Sequence, residues 1–135
     1  MAQEDIYKLA ETRQCRMVFP GTLNANGTLF GGEMMKWMDE VAFITATRAT
    51  RQRIFTARVD QIEFIAPIEE NSIIEIIGSV RGASPVKLEV EVLLYAESQH
   101  MNTRHKAARA VFVMTALNEN NKVTRLSFPA LSETF

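Results

Sequence analysis

Hydrophobic and polar residues alternate along most of this chain, and one long segment breaks the alternation. Residues 33–50 contain no glycine or proline and are rich in methionine, alanine and large apolar side chains. Such a composition predicts one long helix over residues 33–50. Because this segment is apolar on nearly every face, we expect the helix to be buried rather than to lie on the surface.

The remainder of the chain is typical of strands joined by turns. We predict a short helical lead-in over residues 1–10 and strands at residues 12–19, 54–65, 73–81, 86–94, 106–117 and 123–128. The first of these strands alternates loosely, as an edge strand does, whereas the strand at 106–117 is apolar on both faces, as a central strand is. Within 54–65 the apolar positions shift from odd-numbered to even-numbered residues, which predicts a bulge.

One helix that is segregated from a run of strands predicts an α+β fold, in which an antiparallel sheet wraps against the helix. The chain has 135 residues, the length of one domain, so we expect a single domain over 1–135 with its core at about 12–128. A domain of this size has little room for a deep cleft of its own. A substrate pocket that needs a second subunit is therefore one expectation.

Composition and charge exclude several classes of protein. The chain is 47% hydrophobic and 23% charged, as ordinary globular proteins are, and its net charge of -1 gives no attraction to nucleic acid. One cysteine, Cys15, and two histidines make an internal disulfide impossible and a zinc site a poor prediction. Because the sequence has neither a signal-peptide pattern nor an apolar run of about 20 residues, we expect a cytoplasmic protein without a membrane span.

Asp39 is the most unusual residue of the predicted helix. Its neighbours one helical turn away are apolar except for Lys36. A carboxylate on an apolar face costs desolvation free energy unless it has a partner. Two interpretations stay open: a general base or nucleophile, or a carboxylate at the margin of the buried face that pairs with an arginine or a backbone group. Glu40, in contrast, is expected to form a surface ion pair with Lys36.

Two glycines, Gly31 and Gly32, precede the predicted helix and let a ligand approach its first backbone amides. The free N–H groups of a helix N-terminus suit a phosphate or a carbonyl oxygen that gains negative charge. Asp39, however, lies about 10 Å along the helix from Gly32. If both features act in one reaction, a two-fold dimer would bring the helix start of one chain near Asp39 of the other.

The segments Asn24–Gly32 and Met35–Glu40 resemble the corresponding segments of the hotdog-fold acyl-CoA thioesterases. The branch is that of the cytosolic long-chain acyl-CoA hydrolases and their small single-domain bacterial relatives. The stretch Val59–Pro67 and the turn Gly82–Ser84 match this family in kind and order, so the resemblance covers most of the chain. It implies a hotdog fold, a long central helix wrapped by an antiparallel sheet, in agreement with the hydrophobic pattern.

The resemblance also implies an activity, the hydrolysis of fatty acyl-CoA to free fatty acid and CoA without a metal or other cofactor. By position, Asp39 matches the family's catalytic carboxylate, which activates water or attacks the thioester itself. Asn24 matches the catalytic asparagine, which helps to hold the water or the substrate. The backbone amides of Gly31 and Gly32 would polarise the thioester carbonyl.

Family members place this asparagine and this aspartate on opposite sides of a dimer interface, and their dimers commonly assemble into hexamers. The resemblance therefore implies a homo-oligomer with a dimer as its minimum active unit. The anionic CoA is expected to meet basic side chains, for which Arg58, Arg81 and Arg104 are candidates. Gly82 and Ser84 complete the predicted substrate contacts.

Two alternatives to the thioesterase interpretation use the same fold. A hotdog dehydratase also acts on acyl thioesters, but it needs a histidine to work with the carboxylate, and here none precedes the helix. A non-catalytic acyl-CoA sensor would keep the Gly31–Gly32 entry and an apolar pocket. Such a sensor would not need Asn24 and Asp39 together.

Overall fold

Within residues 1–134, which the computed structural model describes, two helices and six strands follow one another in the predicted order. They are α1 (Gln3–Ala10), β1 (Thr12–Met17), α2 (Gly31–Thr50), β2 (Arg53–Phe64), β3 (Ile73–Ala83), β4 (Leu88–Glu97), β5 (Arg104–Leu117) and β6 (Val123–Thr124), with a short 3₁₀ turn at Pro20–Thr22. The helical lead-in is confirmed as α1. Strand β6 is shorter than predicted because Leu126 N leaves the ladder and donates to Pro85 O at 2.9 Å.

The strands form one antiparallel sheet in the order β1-β3-β4-β5-β2, with β6 paired to the end of β5. Strand β1 lies at one edge and β5 has neighbours on both sides, as predicted from their patterns. Strand β2 forms the other edge. The α+β class is confirmed, since all five long strands contact the single long helix α2.

Helix α2 lies directly on β3 at Gly78, where the sheet has no side chain. A Cβ atom at Gly78 would be 2.5 Å from Thr45 Oγ1 and 2.8 Å from Val41 Cγ1. These distances are shorter than non-bonded atoms tolerate, so only glycine permits this approach of the helix to the sheet. The inward side chains of β4 complete the core, and five of them are buried: Leu88, Val90, Val92, Leu94 and Ala96.

The expectation that α2 is buried rather than at the surface holds for only one side of the helix in the single chain. Phe43 is 45% exposed and Ile44 is 40% exposed, because one sheet covers only one side of a helix. The helix also begins at Gly31 rather than at residue 33, since the N–H groups of a first turn have no intrahelical partner and glycine costs little there. None of the helices in residues 1–134 has the length and apolar composition needed to cross a membrane.

The predicted strands at 73–81 and 86–94 leave a connection at residues 82–85, but the observed connection lies further along the chain. Strand β3 continues to Ala83 through a register shift between Val80 and Gly82, and β4 begins only at Leu88. Two hydrogen bonds close the connection: Ser84 N donates to Lys87 O at 2.8 Å, and Lys87 N donates to Ser84 Oγ at 3.1 Å. Gly82 is therefore a strand residue, and Ser84 a turn residue.

Strand β2 has two register shifts against β5, one between Thr56 and Arg58 and one between Asp60 and Glu63, and the second is the predicted bulge. Between Asp60 and Glu63 strand β2 advances three residues while its partner β5 advances two, and Gln61 adopts the left-handed region at φ 53°. The extra residue inverts the alternation of side chains. Glu63 consequently lies on the outer face with Arg109, 3.7 Å away, and Phe64 turns inward to the helix.

Candidate active site

Asp39 lies in the middle of α2, on the side of the helix that faces β2. Its Oδ1 accepts a hydrogen bond of 2.8 Å from Thr56 Oγ1. Within residues 1–134 no arginine or lysine pairs with this partly buried carboxylate, and Oδ2 accepts no hydrogen bond. The partner of Asp39 is thus a neutral hydroxyl. The interpretation of Asp39 as a carboxylate that pairs with an arginine or a backbone group is not what the structure shows. Within residues 1–134 the Asp39 carboxylate is therefore not paired with a cation.

Thr56 is a residue of the candidate site that the sequence did not reveal. It lies 17 residues after Asp39, and nothing in that spacing marks the two as neighbours. One signal was present: Thr56 shares the inward face of β2 with the buried Ile54, so its hydroxyl required a partner near the helix.

Asn24 builds the loop that precedes α2. Its Oδ1 accepts hydrogen bonds from Asn26 N at 2.9 Å and from Thr28 N and Thr28 Oγ1, both at 3.2 Å. Gly27 closes the loop in the left-handed region at φ 75°. The side-chain oxygen of Asn24 is therefore engaged by hydrogen bonds within its own loop. The amide half, Nδ2, remains as a hydrogen-bond donor.

This loop is fixed in front of the helix by backbone hydrogen bonds. Phe30 N donates to Thr22 O at 3.0 Å, and Leu29 N donates to Ile68 O at 2.8 Å. Asn24 and the start of α2 consequently belong to one rigid unit of each chain.

The start of α2 presents free backbone donors. Phe30 precedes the helix and forms no side-chain capping bond, so the N–H groups of Gly31 and Gly32 have no side-chain acceptor within residues 1–134. No atom would lie within 4 Å of a Cβ atom at Gly32, whereas the ring of Phe64 would lie 3.6 Å from one at Gly31. A ligand oxygen can therefore reach these amides from the side of Gly32.

A single chain does not bring the two halves together. Asp39 lies about 12 Å along the helix from Gly31, at about 1.5 Å per residue. Five cavities of 420 to 540 Å³ open on the surface formed by residues 1–134, and neither Asn24 nor Asp39 lines any of these five. The carboxylate and the amide donors of one chain are thus too far apart to act on the same atoms.

The other predicted substrate contacts lie away from Asp39. Arg58 is on the outer face of β2, where its Nε donates to both carboxylate oxygens of Asp60 at 2.9 Å. Ser84 Oγ accepts a hydrogen bond from Lys87 N at 3.1 Å, and Gly82 pairs within the sheet. The structure gives no contact between these residues and Asp39, so their roles stay predictions.

Two other basic candidates are paired on the outer face of the sheet. Arg81 lies 3.8 Å from Glu89, and Arg104 bridges Glu75 at 2.8 Å and Glu97 at 2.6 Å. Among residues 1–134 the histidine, cysteine, aspartate and glutamate side chains form no group of three that could hold a metal ion.

Glu40 does not pair with Lys36, and this expectation is wrong. Its carboxylate lies 3.0 Å from Arg16 on β1, and the Arg16 guanidinium also lies over the ring of Trp37 at 4.9 Å. Arg16 is fixed by both Glu40 and the Trp37 ring, whereas the side chain of Lys36 is exposed to solvent. Glu40 is thus a structural residue on the side of α2 that faces β1.

A long helix wrapped by one antiparallel sheet is the architecture of a hotdog-fold protein. The chain belongs to the thioesterase superfamily, whose family model matches residues 26–102. The hotdog fold expected from the sequence is confirmed by the similarity to solved structures described next.

Two relatives illustrate the family. The chain is 38% identical over 108 residues to the cytosolic acyl coenzyme A thioester hydrolase of Rattus norvegicus, which covers 78% of this chain and 28% of that protein. It is 32% identical over 120 residues to an uncharacterized acyl-CoA thioester hydrolase of Bacillus subtilis, with 83% and 70% covered. The chain thus spans only 28% of the length of its rat and mouse relatives.

Two solved structures are similar over nearly the whole chain. One is the acyl-CoA hydrolase of Staphylococcus aureus in complex with butyryl coenzyme A, coenzyme A and coenzyme A disulfide, with a TM-score of 0.85, 26% identity, and 95% of this chain and 78% of that chain covered. The other is an apo hexameric acyl-CoA thioesterase, with a TM-score of 0.83, 26% identity, and 90% and 80% covered.

The Staphylococcus aureus hydrolase has also been solved as three single variants, in which alanine replaces an asparagine, an aspartate or a threonine. In that chain the aspartate follows the asparagine by 15 residues and the threonine follows the aspartate by 17. Asn24, Asp39 and Thr56 have the same separations here.

Proposed function

We propose that this protein hydrolyses fatty acyl-CoA thioesters to free fatty acids and CoA, without a metal or other cofactor, and that it does so in the cytoplasm. The observation that carries the proposal is the hydrogen bond from Thr56 to Asp39, which orients a carboxylate whose second oxygen is free. The names of the relatives and the butyryl-CoA complex of the Staphylococcus aureus hydrolase support this substrate class.

In the proposed reaction, Asp39 Oδ2 takes a proton from a water molecule as that water attacks the thioester carbonyl carbon. The carbonyl oxygen gains negative charge, which the N–H groups of Gly31 and Gly32 stabilise. The carbon–sulfur bond then breaks, and the proton passes from Asp39 to the CoA sulfur. Direct attack by Asp39 through an anhydride is the second route compatible with the same residues.

Asn24 contributes through its amide group, because its carbonyl oxygen is occupied by the loop. Its Nδ2 donates a hydrogen bond to the attacking water or to the carbonyl oxygen of the substrate. This assigns Asn24 a positioning role toward the reacting atoms, in addition to its structural role.

The proposed active unit is a dimer. Strand β2 is an edge of the sheet with no partner on its outer side within residues 1–134. Pairing two copies antiparallel along β2 would continue the sheet and place the two α2 helices side by side in opposite directions. The start of one helix would then lie near Asp39 of the other, which removes the separation of about 12 Å. The hexameric relative supports further assembly as a trimer of dimers.

The anionic part of CoA requires a few local contacts, since the chain has no large net charge. Arg58 is proposed for this role because its side chain is 57% exposed and Asp60 occupies only one side of its guanidinium. Gly82 and Ser84, at the connection between β3 and β4, are proposed to contact the same part of the substrate.

Dehydration of an acyl thioester is less well supported. His100 and His105 both line a cavity of about 490 Å³ beside the connections of β2 to β3 and of β4 to β5, and Asp39 does not line it. A histidine is thus not placed beside the carboxylate, as the dehydratase alternative needs. This observation favours hydrolysis.

The proposed activity is tested by CoA release from a panel of acyl-CoA substrates, from butyryl-CoA to palmitoyl-CoA, followed with a thiol reagent. Hydrolysis of at least one member is expected. Tight binding of an acyl-CoA without any CoA release would instead support the sensor alternative and overturn the proposal.

A mixing experiment tests whether the site is shared between two chains. The variants Asp39→Asn and Asn24→Ala are each expected to be nearly inactive. After the two are unfolded together and refolded, half of the dimers carry one intact site, so about a quarter of the wild-type activity should return. A site contained within one chain would regain no activity, because no chain then has both residues.

Asn24→Asp separates the two roles of that side chain. Aspartate keeps an oxygen that accepts the hydrogen bonds of Asn26 and Thr28, so the loop and the melting temperature should be preserved. It replaces the Nδ2 donor with a second negative charge, and kcat should fall by about 100-fold or more. Thermal unfolding and CoA release are the two measurements. Activity close to wild type would show that the donor is not used.

A further inference from the structure

Phe64, the last residue of β2, is a large aromatic side chain at the start of α2 that the proposed reaction has not yet used. Its ring atoms Cζ and Cε1 would lie 3.6 and 3.7 Å from a Cβ atom at Gly31, so the ring packs against that glycine. The side chain is nevertheless 54% exposed. One side of the ring therefore contacts the helix start, and the rest borders the open space in front of the free amides.

The second bulge of β2, between Asp60 and Glu63, turns Phe64 inward after Asp60 on the outer face. Without the extra residue between Asp60 and Glu63, the alternation of the strand would turn Phe64 to the outer face, where Glu63 now pairs with Arg109. The bulge requires Gln61 in the left-handed region, a conformation that is costly for a residue with a side chain. The strained conformation of Gln61 thus has one structural result, which is that the ring of Phe64 lies beside the N-terminus of α2.

We infer that Phe64 forms the apolar wall of the thioester pocket and contacts the acyl carbons next to the carbonyl. This inference rests on the proposed hydrolysis of acyl-CoA. Hydrogen bonds from the amides of Gly31 and Gly32 stabilise an oxyanion more strongly when water is excluded, and an apolar ring excludes it on the side of Gly31.

The same wall selects the substrate. A flat ring beside the α-carbon accommodates an unbranched acyl chain and clashes with a methyl branch at that carbon. Phe64 is therefore a specificity-determining residue for straight-chain acyl groups. Its effect concerns the first carbons of the chain and is independent of total chain length.

Phe55 provides a matched control. It is a phenylalanine on the same strand and is 53% exposed, almost the same as Phe64, but it lies on the outer face beside Thr115. Removal of either ring deletes the same amount of exposed apolar surface from β2. Phe64 packs against Gly31 of the proposed site, whereas Phe55 borders a cavity that it shares with Ala57, Val86 and Thr115.

The test compares butyryl-CoA with its branched isomer, isobutyryl-CoA, in the wild type and in Phe64→Ala, Phe64→Trp and Phe55→Ala. Phe64→Ala should lower kcat for butyryl-CoA about 10-fold and raise the ratio of kcat/KM for isobutyryl-CoA over butyryl-CoA by about 10-fold. Phe64→Trp should lower that ratio. Phe55→Ala should leave both quantities within about twofold of the wild type.

The ratio is measured on the folded, active fraction, so a loss of stability in one variant does not change it. Equal ratios in the wild type, Phe64→Ala and Phe64→Trp would overturn the inference and leave the proposed hydrolysis intact. Absence of CoA release from the wild type and from Phe55→Ala would instead refute the proposed function.

Discussion

Replacing Asp39 by asparagine is expected to reduce kcat for acyl-CoA hydrolysis by about 10² to 10⁴-fold, the usual contribution of a general base. The asparagine keeps the size of the side chain and an oxygen that can accept the hydrogen bond from Thr56 Oγ1, so the contact between α2 and β2 should persist. What is lost is the negative charge that takes the proton from water. The effect should therefore appear in kcat rather than in KM or in the melting temperature.

Glu40→Gln is the control for this substitution. It neutralises the next carboxylate of the same helix, which pairs with Arg16 at 3.0 Å and is 42% exposed. Exposed ion pairs contribute at most about 1 kcal/mol to folding, and Glu40 lies on the side of the helix that faces β1, so kcat should change less than about twofold. If Asp39→Asn retained activity similar to that of Glu40→Gln, Asp39 would not be the base or the nucleophile.

The largest expected loss of stability comes from Gly78→Ala. The new methyl group would lie 2.5 Å from Thr45 Oγ1 and 2.8 Å from Val41 Cγ1, and both atoms belong to a helix that is packed along the whole sheet. Relief requires α2 to move away from β3 or Thr45 to give up its bond to Val41 O. Overpacking of this kind typically costs about 1 to 3 kcal/mol of the free energy of unfolding.

Gly82→Ala tests the same substitution four residues later on β3, where no atom lies within 4 Å of the new methyl group. Since alanine lowers the conformational entropy of the unfolded chain, this variant should be as stable as the wild type or more stable by up to about 1 kcal/mol. Urea unfolding of both variants gives the comparison. Equal stability of the two would mean that α2 does not rest on β3 at Gly78.

The sequence was most informative where a feature is local. The long helix, the alternating strands, the bulge in β2 and the candidates Asp39 and Gly31 all follow from composition, period or single residues out of place. Partners across elements did not follow from it. The bond of Thr56 to Asp39 and the pairing of Arg16 with Glu40 depend on how β2 and β1 are placed against α2, which no spacing in the chain records.

The partial burial of α2 is informative in a different way. An apolar pattern on every face predicts burial, and the single chain leaves Phe43 and Ile44 about half exposed. The pattern describes the surroundings of a helix in the assembled protein, whereas the structure of one chain shows only what that chain covers. The dimer proposed above would cover further parts of this helix.

The bulge at Gln61, the second of two register shifts in β2, separates a first part of the strand from a second part that can change independently. Thr56 lies before it and Phe64 after it, so the loss or gain of a single codon at the bulge would exchange the inward and outward residues of the second part alone. Such an event would give the substrate a new wall while the carboxylate and its hydroxyl partner stayed in place. Divergence of substrate preference in this fold therefore has a route through one short insertion or deletion, without any substitution in the chemical groups.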